Sequence, residues 1–97
     1  MLFRSGVELV QLLVSFLGDV ERDWSVEIAG LGARYAELGR GAGLSAGDAL
    51  RAFHLFEGIV RSSVDEMAAA RAGRADLEEH VGWFLNEVRV AMVESFR

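Results

Sequence analysis

Between Ser45 and Gly73 the chain reads SAGDALRAFHLFEGIVRSSVDEMAAARAG, with a start signal, an unbroken apolar seam and a stop. Ser45 has the hydroxyl of a helix N-cap. Asp48 follows three residues on, where its carboxylate approximates a capping box and favours the helix dipole. Leu50, Phe53, Val60, Val64 and Met67 recur at helical steps, and Ala49, Phe56 and Ile59 widen the same face. Glu57–Arg61 and Arg61–Asp65, each four residues apart, fall on the wetter side as surface pairs worth about 0.3 kcal/mol apiece. Gly73, after Arg71 in the last turn, ends the helix as its C′ residue. At roughly 1.5 Å per residue such a helix reaches about 40 Å, the spine of a bundle.

The rest of the composition narrows what this bundle can do. The 97 residues are enough for one domain with a modest core, and 52% of them are hydrophobic, too many for disorder. The formal charge is −5, and all ten basic residues are arginine. A dispersed acidic surface argues against direct nucleic-acid contact as the main task, while remaining compatible with an effector module attached to a separate DNA-binding domain. No cysteine is present, so disulfides and thiolate metal sites are excluded, in keeping with a cytoplasmic setting. No proline interrupts the helices either.

Leu2 to Leu17 is strongly apolar, but Arg4, Glu8 and Gln11 interrupt it, and it falls short of the roughly 20 residues that a membrane span needs. It lacks the basic start and small-residue cleavage site of a signal peptide. It reads instead as a buried helix. Glu8, Gln11, Ser15 and Asp19 form a narrow polar stripe, and Val7, Leu9, Val10, Leu12, Leu13, Val14, Phe16 and Leu17 crowd the remaining surface. One neighbour cannot cover so wide an apolar arc, which predicts a second contact and favours a homodimer. Leu9, Leu12, Leu13 and Phe16, with Trp83, are the interface candidates, and the subunit contact is expected from helix one with helix three or four.

After Gly18, Asp19 or Asp23 can cap the next helix. Trp24, Ile28, Leu31, Tyr35 and Leu38 then step by four, three, four and three, a coiled-coil-like seam. Gly30 and Gly32 each cost about 1 kcal/mol against alanine in a helix interior, so close helix approach is their expected compensation, with Ala29, Ala33 and Ala36 extending the smooth surface. Gly39, Gly41 and Gly43 end this helix. The last helix carries Leu77, Val81, Phe84, Leu85, Val88, Met92 and Phe96. The expected elements are helices over about 3–17, 23–40, 45–72 and 75–96, an all-α, four-helix bundle-like domain spanning 1–97.

No catalytic constellation accompanies these helices. His54 and His80 are the only histidines, and their spacing makes no metal pair and no Glu-x-x-His motif. Gly39-Arg40-Gly41-Ala42-Gly43 lacks the strand, spacing and Lys-Ser/Thr ending of a phosphate loop. Ser62 and Ser63 have no base within sequence reach. Tyr35, His54, Phe56 and Trp83 are the candidates for lining a pocket between helices. No catalytic residue, cofactor or metal is assigned.

The segment GLGARYAELGRGAGLSAGDALRAFHLFEGIVRSSV carries an arginine-tyrosine pair, then G-L-S, then A-L-R-A-F and an aromatic-rich helix. In this pattern the matching residues are Arg34, Tyr35, Gly43, Leu44, Ser45, Ala49, Leu50, Arg51, Ala52, Phe53, Leu55 and Phe56. It resembles the helical N-terminal input domains of the RsbR/RsbRD type, which are related to globins but bind no haem. It is also similar to helical domains C-terminal to MerR-like or excisionase-like DNA-binding modules. The resemblance runs over roughly 30–96 and implies a globin-related, dimeric bacterial regulatory or sensory domain rather than an enzyme. Its partner would be a DNA-binding or signalling effector outside these 97 residues, since no DNA-reading or STAS-like portion is among them. Arg34, Tyr35, Arg51 and Phe53 are the motif positions to follow, their ordinary role being a buried tyrosine hydrogen bond and a surface salt bridge.

The leading expectation is therefore a non-enzymatic domain that self-associates and relays a signal, with no membrane contact. The alternative is a helical domain that binds an apolar small molecule or haem.

Overall fold

A computed structural model describes residues 2–68 and 74–97. Among these, the chain forms four α-helices and no strand: α1 (Leu2–Gly18), α2 (Ser25–Gly41), α3 (Ala46–Ala68) and α4 (Arg74–Ser95). The architecture is an all-α bundle, as the periodicity predicts. The expected stop of the spine helix at Gly73 lies outside the described residues.

Local chemistry sets the visible boundaries. Gly43 takes φ +77, the left-handed region that glycine tolerates. This turns the chain so that the Leu44 N–H donates to the Gly39 carbonyl at 2.9 Å and the Gly43 N–H to that of Arg40 at 3.0 Å. Together they make a Schellman stop for α2. The Asp48 N–H then donates to Ser45 Oγ at 3.2 Å, the N-cap of α3. At the start of α2 the capping differs from expectation. Trp24 occupies the N-cap position, while Asp23, one residue earlier, accepts the Ser25 N–H at 3.0 Å. The Ser25 hydroxyl also donates to this carboxylate, and that bond first, then the N–H bond, lowers the Asp23 carboxyl below the usual range.

Residue pairings fix the helix directions. Glu8 meets Arg34 and Phe16 meets Trp24, so α1 and α2 are antiparallel. Tyr35 packs on Phe53 and Gly39 on Ala49, so α3 runs against α2. Gly32 meets Ala91 and Arg40 reaches the Ser95 carbonyl at 2.6 Å, so α4 is parallel to α2. α2 and α4 make the most extensive helix pair.

The core is one cluster drawn from all four helices. Leu9, Leu13 and Phe16 of α1 join Ile28 and Leu31 of α2, Phe53 and Val60 of α3, and Val81, Phe84, Leu85, Val88 and Met92 of α4. Phe16 stacks on Phe84 at a centroid distance of 5.4 Å and takes Trp24 edge-on at 6.4 Å. The Trp24 indole N–H donates to the Asp19 carbonyl at 2.8 Å, which satisfies the polar end of a buried ring.

Close approach explains one of the two paired glycines and not the other. A Cβ added to Gly32 would stand 2.5 Å from Ala91 Cβ and 2.7 Å from Met92 N. At Gly30 it would meet only the Arg34 guanidinium, at 3.6 Å. Ala36 is buried, but Ala29 and Ala33 face outward, so the smooth surface is narrower than their sequence suggests.

Gly32→Ala should therefore destabilise the protein by about 2 kcal/mol, because α4 backbone cannot yield as a side chain can. Gly58→Ala, where a Cβ meets nothing within 4 Å in mid-α3, should stabilise it by about 0.5–1 kcal/mol. Urea unfolding of the two variants beside the native chain measures both signs.

Candidate functional site

The interface candidates of α1 divide between inside and outside. Leu9, Leu13 and Phe16 are buried in the subunit's own core, and Leu12 is half-buried against it. They are not surface, so a charge at Leu13 would test the core rather than an interface. On the flank of that core-facing side, α1 leaves Val7, Val10 and Val14 exposed, with Val14 64% exposed. The wide apolar arc is thus half used by the chain itself. Trp83 is 49% exposed and stacks on Phe16 at 5.5 Å, closing the core with its remaining face in solvent.

α3 borders the valine strip. A Cβ on Gly6 would touch the Phe56 ring at 3.2 Å, which locates the seam between α1 and α3. Val10 lies one turn beyond Gly6 on α1 and Ile59 one turn beyond Phe56 on α3, and Val10 is 45% exposed. Ile59 is 64% exposed. The two helices therefore carry uncovered apolar residues along the outer side of one seam. On the other flank of α1, Arg34 Nε donates to Glu8 Oε2 at 3.0 Å, a solvent-screened pair.

The four pocket candidates sit against different neighbours. Tyr35 packs on Phe53 at 5.7 Å, Phe56 lies on Gly6, Trp83 on Phe16, and His54 is exposed. Burial raises the Tyr35 hydroxyl well above its ordinary pKa; nearby Glu8 adds to this and Arg34 opposes it. That phenol stays protonated. His54 lines an open cleft of about 600 Å³ shared with Leu50, Arg51, Leu55 and Arg89.

The motif positions Arg34, Tyr35, Gly43, Leu44, Ser45, Leu50, Arg51 and Phe53 have architectural places. Gly43, Leu44 and Ser45 make the α2 stop and the α3 cap, while Phe53 is core and Leu50 packs against it. Arg51 Nη1 stands 3.5 Å from Asp48 Oδ1 in solvent.

One charged residue contradicts its expected place. Glu57 is not on the wet side of α3; it is 4% exposed. Arg89 Nη1 of α4 lies 3.6 Å from its Oε1, and Arg61 Nη2 lies 4.0 Å from Oε2. Oε1 accepts no hydrogen bond. Two guanidiniums thus face one buried carboxylate, whose desolvation the pairing must offset. The four-residue spacing of Glu57 and Arg61 gave the right partner and the wrong depth, because Arg89 draws the carboxylate between the helices.

Among the described residues no group of three or more His, Asp, Glu or Cys side chains could hold a metal ion, and no helix is long and apolar enough to cross a membrane. Comparison with protein-family models, curated proteins and solved structures finds no match to this chain.

A double-mutant cycle on Glu57→Gln and Arg89→Gln, read by urea unfolding, should give a coupling of about 1–2 kcal/mol. The same cycle on the exposed pair Asp48 and Arg51 should give less than about 0.5 kcal/mol.

Proposed function

We propose that this chain is a regulatory domain whose working state is a homodimer, relaying a signal to an attached or partner effector such as a DNA-binding module. The observation that supports it is the division of α1. Leu9, Leu13 and Phe16 serve the core, while Val7, Val10 and Val14 stand uncovered at steps of three and four residues. Steps of that kind are what one helix presents to another.

A twofold axis beside α1 would set this strip on its own copy, with Ile59 of α3 closing one edge. Such an interface is self-complementary, because each residue meets the partner of its symmetry mate. Its apolar centre would be rimmed by Gln11, Ser15 and the Glu8–Arg34 pair, the usual arrangement of core and rim. The resemblance of the Arg34-to-Phe56 pattern to bacterial input domains supports the same reading. Dimerisation would then hold two effector domains at a fixed spacing.

Val10→Glu tests it. The residue is 45% exposed, so the subunit should keep its helical circular dichroism. Two like charges at the dimer centre should raise the dissociation constant at least about tenfold, read from the weight-average mass in sedimentation equilibrium. An unchanged dissociation constant in a folded variant would sink this placement of the interface.

A further inference from the structure

We propose a second site, independent of self-association: the open cleft lined by Leu50, Arg51, His54 and Leu55 of α3 and Arg89 of α4 binds an amphipathic organic anion, a carboxylate bearing an apolar tail. The cleft holds about 600 Å³, within the range of small-molecule sites. Its surface combines two chemistries. Leu55 is among the most exposed large apolar side chains of the described residues, and Leu50 is half-buried beside it in the cleft. These offer a place for a hydrocarbon or an aromatic ring.

The charged groups supply the head-group contacts. Arg89 faces the Glu57 carboxylate from the cleft side, and Arg61 faces it from a neighbouring cleft that also holds Asp65 and Glu78, so the cationic groups of the proposed cleft itself are Arg89 and Arg51. Arg89 Nη1 stands at 3.6 Å from Glu57, too far for a hydrogen bond, and its Nη2 donates to Asn86 Oδ1. That leaves guanidinium donors for a ligand, held in place from behind by Glu57 and Asn86. Arg51, 84% exposed in its side chain, has only a 3.5 Å solvent-screened approach from Asp48. An incoming carboxylate can take a charge-assisted pair from either guanidinium, and the His54 ring stands at the same cleft. A neutral apolar ligand would use only the leucines, and a small inorganic anion only the arginines.

The probe is decanoate, with decanol as its uncharged counterpart, titrated into the ¹⁵N-labelled protein below the micelle concentration. Saturable amide shifts should centre on 50–55 and Arg89, with decanoate at least about tenfold tighter than decanol. Arg51→Gln should weaken decanoate about tenfold and leave decanol unchanged. Leu55→Asp, which sets a carboxylate in the cleft, should abolish decanoate binding while the rest of the spectrum stays folded. Equal affinity for the two probes, insensitivity to Arg51→Gln, shifts centred on Val7–Val14 instead, or no saturation would each overturn the proposal.

Discussion

At Gly32 the backbone of α2 rests against the backbone of α4, and the other helices are arranged around that contact. A Cβ there would meet the Ala91 methyl and then Met92 N of α4, and the two helices run as a parallel pair from Gly32–Ala91 to Arg40–Ser95. Glycine costs about 1 kcal/mol there in helix propensity, which packing of the neighbouring large residues offsets. With α2 and α4 so close, their remaining apolar sides present Ile28, Leu31, Phe84 and Val88 to α1 and α3. Phe16 of α1 packs against Trp24 at the start of α2 and against Trp83 and Phe84 of α4.

The same arrangement decides how charge is distributed. α3 lies antiparallel to α4, and this brings Glu57 opposite Arg89 and Arg61 over Gly82. A buried carboxylate between two arginines adds little net stability over an apolar contact, but it is directional. It also leaves Arg89 at the rim of the neighbouring cleft with donors to spare.

Much of this was legible in the residues. Steps of three and four through Trp24, Ile28, Leu31 and Tyr35 identified the seam of α2 because a helix allows no other grouping of those positions. Gly43 and Ser45 marked a stop and a start because left-handed backbone and a capping hydroxyl are local chemistry. Tertiary facts were not legible. Nothing local distinguishes Gly30 from Gly32; only the path of α4 does. The burial of Glu57 depends on Arg89, thirty-two positions along the chain. The arc of α1 is visible in the sequence as too wide for one neighbour, but which part of it faces the core is not, and the interface candidates Leu9, Leu13 and Phe16 are buried in the subunit's own core. Tyr35, His54, Phe56 and Trp83 share aromatic character but lie against different neighbours.

The functional account rests on the half of α1 that the subunit leaves uncovered. Three valines on one helix face, beside Ile59 of α3, make a contiguous apolar strip on the surface. Such strips are where soluble helical domains meet one another. The most direct measurement is the mass of the native chain by light scattering over a dilution series. The account expects about twice the 10.6 kDa of one chain at high concentration, falling towards one chain on dilution. A mass of one chain at every concentration would contradict it, and the valine strip would then be surface without a second copy to cover it.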